Sequence, residues 1–436
     1  MRKRFLSIAM AASFAMLFNA QQIKFEEYDL PNGLHVILHQ DNSAPVVTTS
    51  VMYHVGAKDE AAGRTGFAHF FEHLLFEGTK NIKRGEWFKL VSSNGGSNNA
   101  NTSPDRTYYY ETFPSNNEQL GLWMEAERLR HPVINQIGVD TQREVVKEEK
   151  RLRMDNQPYG GLFNAILTTL FKKHPYKGTV IGSMEDLNSA KLEEFNAFFK
   201  KYYIPNNATL VVAGDIKPEQ TKKWINEYFG SIPKGTPVTR NFPKETPITQ
   251  EFEETVYDAN IQIPAYIFAY RTPAAKERDA YILNMLGSYL SKGKSSVLYK
   301  KLVDNEKKAL AVEAFNLGLV DHSIFAFFAI PMGNTSKDVL KKDIDAEIKK
   351  LQTDLISEED YQKLQNQLEN DFVNANSSVE GIANTLADSY LLKGNTNLIN
   401  EEINIYRSIT REDLRNAARK YLNSNQRAII NYLPKK

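Results

Sequence analysis

The sequence of 436 residues contains no cysteine, so it offers neither a disulfide framework nor a lipoprotein anchor site. It also lacks an excess of charge of either sign. The formal net charge is +1, which argues against a nucleic-acid partner. Beyond residue 20, no stretch approaches the roughly 20 consecutive apolar residues that a membrane-spanning helix needs. With 25% charged and 42% hydrophobic residues, the composition is that of a globular protein of two or three domains.

The first residues have the features of a secretion signal. Residues 2–4 are basic, and residues 5–18 form a mostly apolar run that is too short to span a membrane. Cleavage after Ala20 would release the mature chain. We therefore expect export to a bacterial periplasm, with an uncleaved amino-terminal anchor as the alternative.

One helical segment, GFAHFFEHLLFEGT at residues 66–79, carries a metal-binding pattern. His69 and His73 are four residues apart, so on a helix they share one face and can bind the same ion. Glu72 lies beside them, as in the H-x-x-E-H pattern of inverted zinc peptidases, where the carboxylate accepts a proton from the attacking water. The alternative is a core helix that carries two hydrogen-bonded structural histidines.

A third ligand is predicted in the helical segment 139–154. On a helical wheel, Val145, Glu149 and Leu152 share one face, which we take to be buried. A lone buried carboxylate is costly unless it is paired or bound to a metal, so Glu149 is the predicted ligand. The alternative is a salt-bridged surface helix in which Glu148 and Glu149 are interchangeable.

The order of predicted elements suggests a duplicated α+β architecture. After the signal at 1–20, a metal-binding domain covers 21–230, a linker rich in proline, glycine and threonine covers 231–249, and a second domain covers 250–436. Residues 100–113 are predicted to form one strand close to the site. The H-x-x-E-H pattern does not recur in the second half.

The chain resembles the pitrilysin and insulin-degrading enzyme family, in particular its short-chain branch with mitochondrial processing peptidase. The matching segments are HFFEH at 69–73, GGSNNANT at 95–102 and REVVKEE at 143–149, and Glu149 follows His73 by 76 residues, as in the family. The resemblance implies two antiparallel sheets with flanking helices, arranged as a clamshell.

The resemblance also implies roles for single residues. His69, His73 and Glu149 would bind one Zn2+, Glu72 would be the general base, and Glu144 would support a histidine from outside the ligand set. Substrate peptide would add to an edge strand formed by four residues. These are Asn99, Ala100, Asn101 and Thr102.

One departure from the family bears on activity. Active members carry an Arg and a Tyr, seven residues apart, in the opposite half, where they hold the substrate carbonyl. Here Val303 stands at the Arg position and no Tyr lies near residues 310–312. We therefore expect a zinc endopeptidase subunit whose Arg/Tyr pair comes from a metal-free homologous partner. The alternatives are a homodimer that uses Arg271 or Lys300, and a non-catalytic binding subunit.

Overall fold

The computed structural model describes residues 22–435 and contains two β-sheets, each flanked by helices. The predicted α+β class is confirmed. The predicted secretion signal at residues 1–20 lies outside the described residues. Among the described residues, no helix combines the length and the apolar character that crossing a membrane requires.

The first sheet has six strands. They are β1 Glu26–Asp29, β2 His35–Gln40, β3 Val46–Tyr53, β4 Ser97–Thr102, β5 Thr107–Pro114 and β6 Ala208–Gly214. Their order across the sheet is β1-β2-β6-β3-β5-β4, so β4 is an edge strand. β2 and β6 run parallel, whereas the other neighbours are antiparallel. The sheet is thus antiparallel, as expected, except between β2 and β6, where the long crossover brings the chain back in the same direction.

Eight helices belong to this half. They are α1 Phe67–Leu74, α2 Trp87–Ser93, α3 Glu118–Arg130, α4 Gln136–Lys150, α5 Leu162–Leu170, α6 Met184–Ser189, α7 Leu192–Tyr202 and α8 Pro218–Phe229. After α8, residues 233–249 contain no helix or strand.

The second sheet repeats the first with one strand fewer. Its strands are β7 Phe252–Asp258, β8 Ala265–Thr272, β9 Ala309–Leu317, β10 Ser323–Pro331 and β11 Arg427–Pro434. The order is β7-β11-β8-β10-β9, and again one pair, β7 with β11, is parallel. Strand β9 therefore holds the edge position that β4 holds in the first sheet.

Six helices accompany the second sheet. They are α9 Arg278–Ser291, α10 Lys337–Thr353, α11 Glu358–Ala375, α12 Val379–Leu391, α13 Leu398–Arg407 and α14 Arg411–Tyr421. Helix α9 follows β8 as α1 follows β3, and both helices precede the hairpin that ends at a sheet edge. The two halves thus share one order of elements.

The segment 100–113 is a hairpin, which corrects the expectation of a single strand. Strands β4 and β5 pair antiparallel, with Asn99 opposite Tyr110, and residues 103–106 form the turn between them. Pro104 lies in this turn and cannot donate a strand hydrogen bond. The turn folds the amide-rich residues of β4 back along the tyrosine-rich strand β5, and so creates the sheet edge next to α1.

Each sheet is covered on one face by a helix from the other half of the chain. Helix α12 packs on the first sheet, where Leu386 joins a core with Met52 and Val211. Conversely, α5 packs on the second sheet, where Ile166 joins a core with Ile267. This exchange buries one face of each sheet between the halves.

The hairpin turns of the two sheets are joined by a buried ion-pair network. Lys58 Nζ lies 2.7 Å from Asp105 in the β4–β5 turn and 3.0 Å from Asp321 in the β9–β10 turn. The Tyr176 hydroxyl donates to Asp105 at 2.6 Å and accepts from the Asp321 backbone N–H at 3.0 Å. A buried lysine requires such partners, so the network fixes one turn against the other.

Candidate active site

Helix α1, which carries His69, Glu72 and His73, is held at both ends by buried groups. At its amino end, the Glu60 carboxylate accepts hydrogen bonds of 2.8 Å from the backbone N–H groups of Gly66 and Ala68. At its carboxyl end, Tyr109 donates to the carbonyl of Phe71 at 2.8 Å and Arg128 donates to that of Leu75 at 3.1 Å. These bonds satisfy helix-terminal groups and fix the orientation of the helix.

His69, His73 and Glu149 meet in one place, with a potential ligand atom of each within 4.8 Å of the others. Glu149 Oε2 lies 3.5 Å from His69 Nε2 and 3.1 Å from His73 Nε2. Ligand atoms around tetrahedral zinc are about 3.3 Å apart, given zinc–nitrogen and zinc–oxygen bonds of about 2.0–2.1 Å. The three side chains therefore fit this ion. Among residues 22–435, no other cluster of three His, Asp or Glu side chains has this geometry.

The electrostatics of the three side chains also suit metal binding. Burial lowers the pKa of His69 to about 4, so that its imidazole is neutral and has a free lone pair at neutral pH. Hydrogen bonding with His73 holds the pKa of Glu149 below its ordinary value, which keeps this carboxylate ionised. Two imidazoles and one carboxylate are a donor set typical of catalytic zinc sites.

Glu149 reaches this position from α4, although the face on which we predicted it was wrong. Val145 is 44% exposed and Leu152 is 57% exposed, so the face they share with Glu149 on a wheel is not the buried one. The buried residues of α4 include Val139 and Val146, and Glu149 follows Val146 by one helical turn. The regular α-helix ends at Lys150, so Leu152 does not keep the angular position that a helical wheel assigns to it relative to Glu149.

Glu144 does not support a histidine, which corrects its predicted role. Its side chain is 64% exposed and lies 2.8 Å from the Lys147 ammonium, three residues along α4. Glu148 also faces solvent, where it pairs with Arg151 at 3.0 Å. Glu144 and Glu148 therefore project from the solvent-facing side of α4.

Glu72 lies in the same cavity and has one direct hydrogen-bond partner that the sequence did not reveal. Thr102 Oγ1, on β4, donates to Glu72 Oε2 at 2.6 Å. Burial raises the pKa of Glu72 above its ordinary value, although this bond opposes the rise. The contact joins α1 to the edge strand and holds the carboxylate in the cavity that His69, His73 and Glu149 also line.

The cavity around these groups has a volume of about 590 Å³. Strand β4 forms one wall, to which Asn99, Ala100, Asn101 and Thr102 contribute, as expected for the predicted substrate strand. The remaining wall is largely apolar and comes from helices and a loop that the sequence did not assign to the site. It includes Phe76, Phe88, Phe163, Leu167, Val180 and Ile181.

The second half contains a cavity of similar size without the metal-binding residues. Asn284, Gly287 and Ser288 line it from α9, with the spacing that His69, Glu72 and His73 have on α1. On its edge strand β9, Ser291 Oγ bonds both the N–H and the carbonyl of Ala314, so these two backbone groups are already paired. Within residues 22–435, the candidate metal-binding cluster is confined to the first half of the chain.

The positions at which the family carries Arg and Tyr offer no donor to the metal cavity. Val303 packs against the core of the second half, and Val312 is buried within it. Arg271 donates to the Thr246 carbonyl, with a distance of 2.5 Å, and neither Arg271 nor Lys300 lines the cavity. The cation that does line it is Arg153, four residues after Glu149, and an i, i+4 pairing on the predicted helix would have indicated it.

Comparison with known proteins agrees with this geometry. The profile described as "Insulinase (Peptidase family M16)" matches residues 35–183, and "Peptidase M16 inactive domain" matches residues 189–368. The zinc protease PqqE of Helicobacter pylori is 32% identical over 414 residues, which cover 93% of this chain and 92% of that protein. The chain belongs to peptidase family M16. The family resemblance predicted from the three motifs is thereby confirmed.

Two further relatives define the extent of the M16 similarity. A probable mitochondrial-processing peptidase subunit beta of Arabidopsis thaliana is 24% identical and is matched over 90% of this chain and 75% of its own length. The crystal structure of a protease from Helicobacter pylori superposes with a TM-score of 0.88 at 30% identity, covering 94% of this chain and 99% of that one. Both M16 profiles are matched, and the candidate metal ligands lie in the part that matches the insulinase profile.

Proposed function

We propose that this M16 chain is a zinc metallo-endopeptidase subunit that hydrolyses peptides or short unfolded polypeptides. The observation that carries the proposal is the meeting of His69, His73 and Glu149 beside Glu72, in a cavity walled by an edge strand. Two nitrogen donors and one oxygen donor leave a fourth position open, as in catalytic zinc sites. Zinc held there would polarise the peptide carbonyl and make a water molecule more acidic.

Glu72 is the proposed general base. Its carboxylate would accept a proton from the attacking water and later donate it to the leaving amine. A carboxyl whose pKa is raised by burial is suited to both steps, because it neither holds nor releases the proton too strongly. Thr102 supports this role, since its hydroxyl occupies one carboxylate oxygen at 2.6 Å and leaves the other for the water.

Strand β4 is the proposed binding edge for the substrate. It pairs on one side with β5 and on the other borders the cavity, so a peptide in extended conformation can add there as another strand. Asn99, Ala100, Asn101 and Thr102 would contact the peptide. Backbone pairing of this kind selects an extended, unfolded segment more than a particular sequence.

A second subunit is part of the proposal because this chain lacks the Arg and Tyr of active M16 members. Val303 and Val312 lie in or against the core of the second half, so neither offers a donor to a substrate carbonyl. A metal-free homologous chain would supply that pair in a heterodimer. A homodimer is the alternative arrangement. The secretion signal predicted at residues 1–20 supports a periplasmic location.

Cleavage of a mixed peptide library tests the proposal. The purified chain, given one equivalent of zinc, is compared with its Glu72→Gln variant, and products are identified by mass spectrometry. Cleavage by the wild type that is lost in the variant supports a peptidase in which Glu72 is the base. Equal cleavage by both would refute the role of Glu72.

The same assay separates the proposed assemblies. If the single chain binds zinc but cleaves nothing until a homologous chain that carries the Arg/Tyr pair is added, a heterodimer is supported. Full activity of the single chain would refute the need for a partner. Tight peptide binding without cleavage in every combination would instead support a non-catalytic subunit.

A further inference from the structure

Arg153 reaches the metal cavity because the end of α4 departs from regular helical geometry. Residues Arg151–Asp155 form a π-helical turn, in which Asn156 N–H donates to the Arg151 carbonyl at 2.8 Å. A π turn rotates the side chains that follow it, and such turns are frequent at functional sites. As a result Arg153 and Met154 line the cavity, whereas Leu152 is exposed to solvent.

Among the described residues, the guanidinium of Arg153 has one ion-pair contact, and most of the side chain is exposed. Its Nη1 lies 2.9 Å from Glu149 Oε1, and its side chain is 76% exposed. Glu149 presents its other oxygen, Oε2, to the histidines. Arg153 can therefore keep this contact while Glu149 binds a metal, and the other N–H groups of its exposed guanidinium remain available to a ligand in the cavity that the side chain lines.

Arg153 is the one Lys or Arg among the described residues that line this cavity. The anionic lining groups are Glu72 and Glu149, and the rest of the wall is apolar or carries imidazoles, hydroxyls or amides. A divalent ion bound by Glu149 and the two histidines would offset both carboxylates. The cavity mouth would then be positive at Arg153, where a planar guanidinium can bind a carboxylate through two parallel hydrogen bonds.

We infer that Arg153 is a specificity-determining residue that binds a carboxylate of the peptide substrate close to the scissile bond. The inference rests on the proposed peptidase function and specifies the substrate class. The carboxylate has two possible sources, an acidic side chain next to the cleaved bond or the carboxyl terminus of the peptide. Arg153 acts on substrate choice, whereas the metal is held by other side chains.

Arg151 provides a matched control for Arg153. It belongs to the same π turn and is also ion-paired to a glutamate, with 3.0 Å between its Nη1 and Glu148, but it does not line the cavity. Replacing either arginine by glutamine removes one exposed charge and one ion pair. Only the change at position 153 should alter the affinity for a peptide that carries the carboxylate.

Binding is measured with zinc-loaded Glu72→Gln protein, so that turnover does not interfere. Four forms of one cleavable peptide are compared, with Glu or Gln next to the cleaved bond and with a free or amidated carboxyl terminus. We expect the form with the preferred carboxylate to bind roughly tenfold more tightly than its neutral counterpart. Adding Arg153→Gln should abolish this preference and Arg153→Lys should reduce it, while adding Arg151→Gln should leave it intact.

Three results would overturn the inference. They are equal binding of all four peptides, an unchanged preference in Arg153→Gln, and a loss of zinc affinity in Arg153→Gln, which would make Arg153 only a positioning residue for Glu149. The peptide pair that shows the binding preference identifies the source of the carboxylate, the acidic side chain or the carboxyl terminus. Failure of the proposed peptidase function gives a different result from failure of this inference. In that case the wild type would cleave none of the peptides, even if Glu72→Gln binds them with the expected preference.

Discussion

Within the part of the chain that the structure describes, the Thr102 hydroxyl is the one direct hydrogen-bond partner of the proposed general base. It donates to Glu72 Oε2 at 2.6 Å across the gap between β4 and α1. We expect Thr102→Val to lower kcat about tenfold, because the carboxylate loses one hydrogen bond and gains rotational freedom. Steady-state kinetics on a cleaved peptide measure this change.

A matched threonine on the neighbouring strand controls for general effects of the substitution. Thr112 on β5 bonds Thr48 at 2.8 Å and does not line the cavity. Thr112→Val should leave kcat within about twofold while changing stability modestly. If kcat falls equally in both variants, the hydrogen bond from Thr102 to Glu72 does not account for the loss.

The two adjacent acids of α4 should differ sharply in their effect on zinc binding. Glu149 meets His69 and His73, whereas Glu148 faces solvent and pairs with Arg151. We expect Glu149→Gln to weaken zinc affinity by more than about 100-fold, since removal of even an outer partner costs 10–100-fold. Glu148→Gln should bind zinc as the wild type does. Competition with a chelator measures both, and similar affinities would contradict the assignment of Glu149.

At this scale the sequence selected the acid that meets the two histidines, but from a partly wrong argument. Glu149 was expected on a buried face with Val145 and Leu152, yet both of these are exposed and Val146 is the buried neighbour. The π turn after Lys150 explains the error for Leu152, since a wheel assumes a constant angle per residue. The spacing to His73 and the motif resemblance were the more reliable guides.

The position of helix α1 depends on Gly66, because the backbone of residues 181–182 packs directly against it. Gly66 has φ +91°, and a Cβ there would lie 2.7 Å from the Ile181 carbonyl oxygen. Gly63 has φ +75° with open space around it. We expect Gly66→Ala to destabilise the protein by about 3 kcal/mol, from backbone strain plus overpacking, and Gly63→Ala by about 1–2 kcal/mol from strain alone.

Urea unfolding at neutral pH compares the two glycine variants. Gly66→Ala should also weaken zinc binding, because a shift of the helix start moves His69 relative to Glu149. Gly63→Ala should not. Equal destabilisation by the two substitutions would show that the contact with residue 181 does not constrain α1.

Most elements follow from periodicity, and the exceptions have identifiable causes. The helical apolar pattern of residues 276–290 and the continuous apolar run at 324–330 correspond to α9 and β10 to within two residues at each end. The run at 100–113 resembles one strand because its β-formers are continuous except for the turn at 103–106. Pro104 is the local signal of that turn, and a single proline is weak evidence against a strand because edge strands tolerate it.

For the whole molecule, the arrangement of the halves rests on contacts that a sequence pattern does not encode. Helix α5 covers the second sheet and α12 covers the first, across hundreds of residues of chain. Amphipathic periodicity shows that a helix buries one face but not which sheet receives it. The duplication itself was readable, because both halves repeat the order of strands and helices.

The ion-pair network between the two hairpin turns should give the stability of the molecule an acid dependence. Burial alone would raise the pKa of Asp321, but the nearby His174 ring and the Lys58 ammonium outweigh it and hold that pKa well below its ordinary value. Such a carboxylate contributes stability above about pH 4, and the contribution is lost as pH falls toward the folded-state pKa. We expect Asp321→Asn to cost about 1–3 kcal/mol at pH 7.

Denaturant unfolding from pH 7 to pH 3 tests this dependence. The gap in unfolding free energy between the wild type and Asp321→Asn should narrow below pH 4, since the wild type then loses the charged interaction as well. Asp140, which is exposed on α4, provides the control, and Asp140→Asn should cost less than about 1 kcal/mol at every pH. A gap that stays constant with pH would mean that the Asp321 charge does not tie the halves together.

Zinc titration of the metal-free protein tests the central claim most directly. Peptide hydrolysis is followed as zinc is added to the wild type and to Glu72→Gln, with the homologous partner present if the single chain requires it. We expect hydrolysis to rise linearly and level off at one zinc per chain, while Glu72→Gln binds the same amount of zinc and stays inactive. Hydrolysis without zinc, or undiminished hydrolysis by Glu72→Gln, would contradict a zinc site in which His69, His73 and Glu149 hold the ion and Glu72 is the base.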